Sequence, residues 1–96
     1  MRFAALFIDS VTPDDLAPDL TRAHFDYLAQ HADRITMAGG LRRPEGGGFC
    51  GSHWVIEAED EAAARRLMDE DPYCPAGLRP DRSLYRCGTA FKPAIS

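Results

Sequence analysis

The period of the apolar residues changes along this chain in the order strand, helix, strand, strand, helix, strand, and few sheets can be built from that order. The opening run Arg2–Ile8 is apolar at nearly every position rather than alternating, as in a strand covered on both faces. Its interruption at Asp9 and the lack of a cleavage-like segment separate it from a signal peptide. Pro18 suits a first helical turn, and from there to Ala32 the pattern is helical. Leu20, His24, Tyr27, Leu28 and His31 then share one face, with Arg22, Asp26 and Gln30 opposite. The turn-rich Thr12-Pro13-Asp14-Asp15 precedes this helix.

A strand is predicted over Ile35–Leu41, with Gly39-Gly40 as a place where the backbone turns or approaches a ligand. Residues 42–49 hold the run Gly46-Gly47-Gly48 and read as a flexible connection. No phosphate-loop pattern accompanies them. Residues 50–58 alternate Ser52, Trp54 and Ile56 against His53, Val55 and Glu57, a strand signature. Asp60 offers an N-cap to a helix over residues 61–70, which buries Ala63, Ala64, Leu67 and Met68 and must stop before Pro72. A last strand is predicted over residues 83–91, with Tyr85, Cys87, Thr89 and Phe91 on one face.

The resulting β-α-β-β-α-β order is the α+β, ferredoxin-like arrangement: an antiparallel four-stranded sheet with two helices on one face. The 96 residues fit a single domain over residues 1–96. Since helices in so small a domain cover one sheet face, the second cover for the first strand is expected from another subunit.

A net charge of -4 with dispersed arginines argues against nucleic-acid binding. The pairs Arg42-Arg43 and Arg65-Arg66 read as solvated faces. No stretch reaches the roughly 20 apolar residues of a membrane span, so a soluble protein without membrane contact is expected. Cys50, Cys74 and Cys87 form no C-x-x-C pair, which suits reduced thiols in a cytoplasmic setting.

His24 leads the chemical candidates, because an imidazole takes or gives a proton near neutrality. A neighbouring carboxylate would fix its tautomer. Asp71, biased by Pro72 toward an extended conformation at the helix exit, could supply one. The competing readings are a hydrogen-bonded core histidine and an exposed helix-stop aspartate. His24 and His31 stand about 10.5 Å apart along the helix, too far to ligate one metal, and no metal site is expected. Cys74, next to Asp71-Pro72-Tyr73, is a conceivable nucleophile if a histidine lowered its pKa, or simply a small, partly buried thiol. Trp54 reads as core or interface and His53 as strand surface or interface.

The strand-helix opening, His24 in the first helix, Ala38-Gly39-Gly40, Gly51-Ser52 and Asp71-Pro72-Tyr73, with His24 about 47 residues before Asp71, together resemble the YciI-like (YCII-related) family. The resemblance spans nearly the whole chain. It implies a ferredoxin-like subunit that pairs through its sheet as a dimeric α+β barrel, with His24 and Asp71 as a catalytic dyad. Gly39, Gly40, Ser52 and Tyr73 would line the same pocket as substrate-binding positions.

One characterised branch of that family removes chloride from a chlorinated hydroxyquinol. The implied function is therefore a small-molecule enzyme performing general acid-base chemistry without a cofactor, by elimination or proton abstraction. The alternative is a non-catalytic homodimeric module that binds a small ligand or a protein partner. Two positions depart from the family pattern: Thr21 stands where an arginine is frequent, and Gly40 replaces the proline of an Ala-Gly-Pro turn. An anionic substrate group held by that arginine would need another partner here.

Overall fold

The computed structural model describes residues 1–11 and 16–90. The expected turn at Thr12-Pro13-Asp14-Asp15, and Phe91, lie outside the described residues. The chain runs through β1 (Arg2–Ile8), α1 (Pro18–Gln30), β2 (Ile35–Leu41), β3 (Gly51–Glu57), α2 (Glu61–Asp69) and β4 (Asp81–Arg86). The sheet order is β2-β3-β1-β4, with every neighbouring pair antiparallel. This is the ferredoxin-like α+β fold, in which each helix connects two strands that run parallel with a third inserted between them.

The alternation read from residues 50–58 decides which side of the sheet is core. Trp54 and Ile56 on β3, with Phe3, Ala5 and Phe7 on β1, point to the helices and are buried. Tyr27 of α1 and Ala64, Leu67 and Met68 of α2 close the same core from above. Each large side chain removed from water here contributes about 1.5–3 kcal/mol. The Tyr27 hydroxyl donates to the Leu67 carbonyl at 2.6 Å and so ties the two helices together. Asp60 caps α2 as its position suggests, its side chain accepting from the Ala63 N–H at 2.8 Å.

The other sheet face has no cover among the described residues. Ile8, Met37 and Tyr85 stand exposed there, and Leu6 is 38% exposed. The reading of β1 as a strand enclosed on both sides is therefore met on one face by the chain itself.

β3 and α2 fall within a residue of their expected bounds, and larger differences from the sequence expectation arise in three places. α1 ends at Gln30, because His31 leaves helical geometry and residues 31–34 turn sharply into β2, with the Ile35 N–H on the His31 carbonyl at 2.7 Å. β4 runs over Asp81–Arg86 rather than residues 83–91. Its bounds are set by β1, since Asp81 pairs with Ile8, and beyond Arg86 only the Cys87 N–H still reaches Arg2, at the beginning of the partner strand. Gly39 and Gly40 do not turn. Both sit inside β2, opposite His53 and Ser52, and only Gly46, Gly47 and Gly77 adopt positive φ among the described residues. What the two glycines of β2 provide is room, because an added Cβ would lie 2.9 Å from the His53 ring at Gly39 and 2.4 Å from the Phe49 ring at Gly40.

Gly51 is tighter still, since a Cβ there would stand 2.0 Å from the Phe7 carbonyl oxygen, a backbone atom that can move only by opening the β1–β3 ladder. Gly51→Ala is expected to destabilise the fold by on the order of 1–3 kcal/mol, measured as a lowered midpoint in urea denaturation.

Candidate active site

His24 occupies the middle of the buried stripe of α1, as its helical phase requires, and its side chain is 7% exposed. The Asp71 carboxylate, fully buried, stands 2.8 Å from its Nδ1. Asp71 follows α2, ahead of Pro72. It opens a succession of tight turns, with the Cys74 N–H on the Asp71 carbonyl at 2.8 Å and the Leu78 N–H on the Tyr73 carbonyl at 3.1 Å. Those turns swing the carboxylate back under α1.

An ionised carboxylate can only accept, so Nδ1 is the donor in this contact, and in a neutral ring Nε2 then holds the lone pair. No partner engages Nε2 among the described residues. The ring is held flat by Tyr73, which stacks on it at 4.1 Å and 11°, while Phe25 meets it edge-on at 5.2 Å.

The second oxygen of Asp71 accepts from Nη1 of Arg79 at 3.1 Å. Arg79 was not singled out by the sequence, yet its side chain is only 1% exposed and it is the hub of the site. Nη2 donates to the Ser52 Oγ at 2.6 Å. Nε lies 3.0 Å from the Asp9 Oδ1, a charge contact whose angle falls short of a hydrogen bond. The guanidinium plane also rests over the rings of Phe7 at 4.5 Å and Tyr73 at 4.9 Å. Backbone pairing explains how Asp9 and Arg79 meet: the Ser10 N–H bonds the Leu78 carbonyl at 2.8 Å, while the Asp9 N–H bonds that of Cys50 at 2.9 Å. Burial pushes the Asp9 carboxyl above the usual carboxylate range, and the Arg79 charge offsets this only in part.

His24, Ser52, Tyr73 and Arg79 form one wall of a cavity of about 310 Å³, with Asp71 and Asp9 behind them, and the remaining walls come from α1, β2, the beginning of β3 and Phe49. Thr21, Gly39, Gly40, Ser52, Trp54 and Tyr73 all line it. The structure thus brings together His24, Asp71, Ser52, Tyr73 and the two glycines of β2. At position 21 the Thr hydroxyl receives the Tyr73 O–H at 3.4 Å, so the cation at this cavity comes from Arg79, near the end of the chain, and not from α1. Phe49 reaches the rim with Arg42 stacked on it at 4.2 Å.

Other candidates lie elsewhere. His31 packs on the Tyr27 ring at 4.5 Å, and His53 lies on the open sheet face against Gly39. Trp54 is core, 4.5 Å from Phe7, with one edge on the cavity. Among the described residues, no group of three or more His, Cys, Asp or Glu side chains is placed to hold a metal ion. No helix among them is long and apolar enough to cross a membrane.

Cys74 is not activated. Its thiol donates to the Met68 carbonyl at 3.1 Å, and burial raises its pKa, with the charge of Arg82 opposing only partly. A raised pKa means a smaller thiolate fraction at any given pH. In the folded protein at mildly alkaline pH, iodoacetamide should modify exposed Cys87 at least about tenfold faster than Cys74, read by peptide mass spectrometry. Equal rates would mean that Cys74 is accessible and ionised after all.

A family model described as the YCII-related domain matches residues 1–87. Among solved structures, the chain is similar to 5-chloro-2-hydroxyhydroquinone dehydrochlorinase (TftG) from Burkholderia phenoliruptrix AC1100 in complex with 2,5-dihydroxybenzoquinone. That likeness has a TM-score of 0.78 and 24% identity, over 92% of this chain and 94% of that one. It is also similar to a variant of SnoaB, a cofactor-independent oxygenase from Streptomyces nogalater, with a TM-score of 0.55 and 14% identity over 96% of both chains. No match was found among curated proteins. At these identities the structural likeness concerns the fold.

Proposed function

The chain belongs to the YCII-related domain family, and from that premise we propose that it is a small-molecule enzyme in which His24, oriented by Asp71, performs general acid-base chemistry without a cofactor. The observation that carries this reading is the 2.8 Å contact of two buried side chains 47 residues apart, of which His24 lines a cavity and Asp71 stands behind it. A purely structural histidine has no need of a ligand-sized space beside it. The TftG and SnoaB structures, a dehydrochlorinase and a cofactor-independent oxygenase, lend support as enzymes on the same fold.

In the proposed reaction, Nε2 of His24 removes a proton from a weakly acidic carbon or hydroxyl of the substrate. Asp71 holds the ring by Nδ1 and stabilises the imidazolium that forms. The imidazolium then returns the proton to the product or to a leaving group, so elimination and proton abstraction both fall within reach. Gly39 and Gly40 present β2 backbone to the cavity. Tyr73 backs the imidazole. Ser52 already accepts from Arg79, so its own hydroxyl proton is free to donate to a substrate oxygen. A cavity of about 310 Å³ suits a molecule of about one ring, at the lower end of ligand pockets.

The expected signature is turnover of small phenolic or quinol substrates that falls by about 10²–10⁴-fold in His24→Ala. A non-catalytic binding module would instead saturate with ligand and never transform it, and His24→Ala would weaken affinity alone. A structural histidine would leave ligand binding untouched in His24→Leu.

We also propose a homodimer formed through the open sheet face, because Leu6, Ile8, Met37 and Tyr85 otherwise remain in water. Sedimentation equilibrium should give twice the chain mass, and Leu6→Arg should shift the population to monomer. A monomeric wild-type chain at micromolar concentration removes this part of the reading.

A further inference from the structure

A carboxylate that orients a histidine also raises its proton affinity, and a buried Asp71 acting alone would favour a charged imidazole that has no room to accept a proton. Asp71 does not act alone. Its Oδ1 faces His24 at 2.8 Å and its Oδ2 faces Arg79 at 3.1 Å, so one carboxylate is shared between the ring and a permanent cation. Arg79 is divided in turn, with Asp9 on its far side at 3.0 Å. The charged atoms form a chain, His24 to Asp71 to Arg79 to Asp9, with side chains between 0% and 7% exposed and therefore poorly screened.

We propose that Arg79, with Asp9 behind it, is a positioning residue that sets the proton affinity of His24, an inference that rests on the His24-Asp71 acid-base reading. Two effects act together. The fork of Arg79, pinned at Ser52 and Asp71, stops the carboxylate from rotating and presents Oδ1 to the ring. Its positive charge opposes a second positive charge on His24, so the ring stays neutral and able to accept a proton. Asp9 moderates that opposition from the end of β1. The titratable and charged groups near this chain are Asp9 directly after β1, Tyr27 from α1, Asp71, Tyr73 and Cys74 from the turns after α2, and Arg79 ahead of β4. α1 itself brings no ion-pair partner to His24 among the described residues.

The two outer charges have opposite signs, so their removal has opposite consequences. Nitrogen-resolved NMR titration of the His24 ring should show its midpoint raised by about one pH unit in Arg79→Gln and lowered by a smaller amount in Asp9→Asn. Arg79→Lys, which keeps the charge and loses the fork, should return the midpoint toward the wild-type value. A general loss of packing would move both neutralising variants in the same direction.

If Arg79→Gln fails to give a folded spectrum, Asp9→Asn decides alone: a lowered midpoint supports the inference, and an unchanged or raised one overturns it. Asp71→Asn separates this inference from the reading beneath it. A His24 midpoint that moves in Asp71→Asn and stays fixed in Arg79→Gln overturns the role of Arg79 and leaves the acid-base pair standing. A midpoint and tautomer that ignore Asp71→Asn overturn the pair itself.

Discussion

A guanidinium cannot be neutralised by giving up a proton, so one that is buried must find its counter-charges in the fold. Arg79 does so by drawing three separate segments to itself: the end of β1 through Asp9, the beginning of β3 through Ser52 and the turns after α2 through Asp71. Much of the local architecture follows from that demand. The Ser10–Leu78 and Asp9–Cys50 backbone bonds register these segments, and the guanidinium also rests over the rings of Phe7 and Tyr73. The stacking of Tyr73 on His24 continues the same layer into the cavity. A buried ion cluster adds little net stability against an apolar alternative, which makes its presence beside a cavity more telling than its energy.

The elements were legible because their periods are clean. Arg2–Ile8 and Ile35–Leu41 emerged with their observed bounds, and the Ser52, Trp54, Ile56 alternation named the core face of β3. β4 was placed too late, since its extent depends on the length of β1 and not on its own residues. Gly39-Gly40 left a turn and a close approach both open, because glycine marks either. Only the partner side chains, His53 and Phe49, tell the two apart.

The site was half legible. His24 announced itself by lying at the centre of an apolar stripe, and Asp71 by its place at a helix stop. Their mutual distance is a tertiary fact that no spacing encodes. Arg79 escaped notice because Leu78-Arg79-Pro80 belongs to no periodic segment and carries no motif. The faint signal was its position: an isolated arginine between the Asp-Pro-Tyr segment and the last strand, in a chain that lacks a cation at position 21. Asp9, which only seemed to end an apolar strand, turned out to be the carboxylate answering that cation.

The cavity draws its two halves from different parts of the chain. Its polar wall takes His24 from the middle of α1 and Arg79 from the segment ahead of β4, with Asp71 and Asp9 bracing them from behind. The rim on the opposite side is contributed by Phe49 at the end of the 42–49 connection, where Gly46 and Gly47 take positive φ and Arg42 stacks on the ring. Such a connection tolerates changes in length and sequence that packed elements do not. The proton-handling floor and the shape-selecting rim can thus diverge independently, so that relatives of one architecture could keep the same base while admitting molecules of quite different outline.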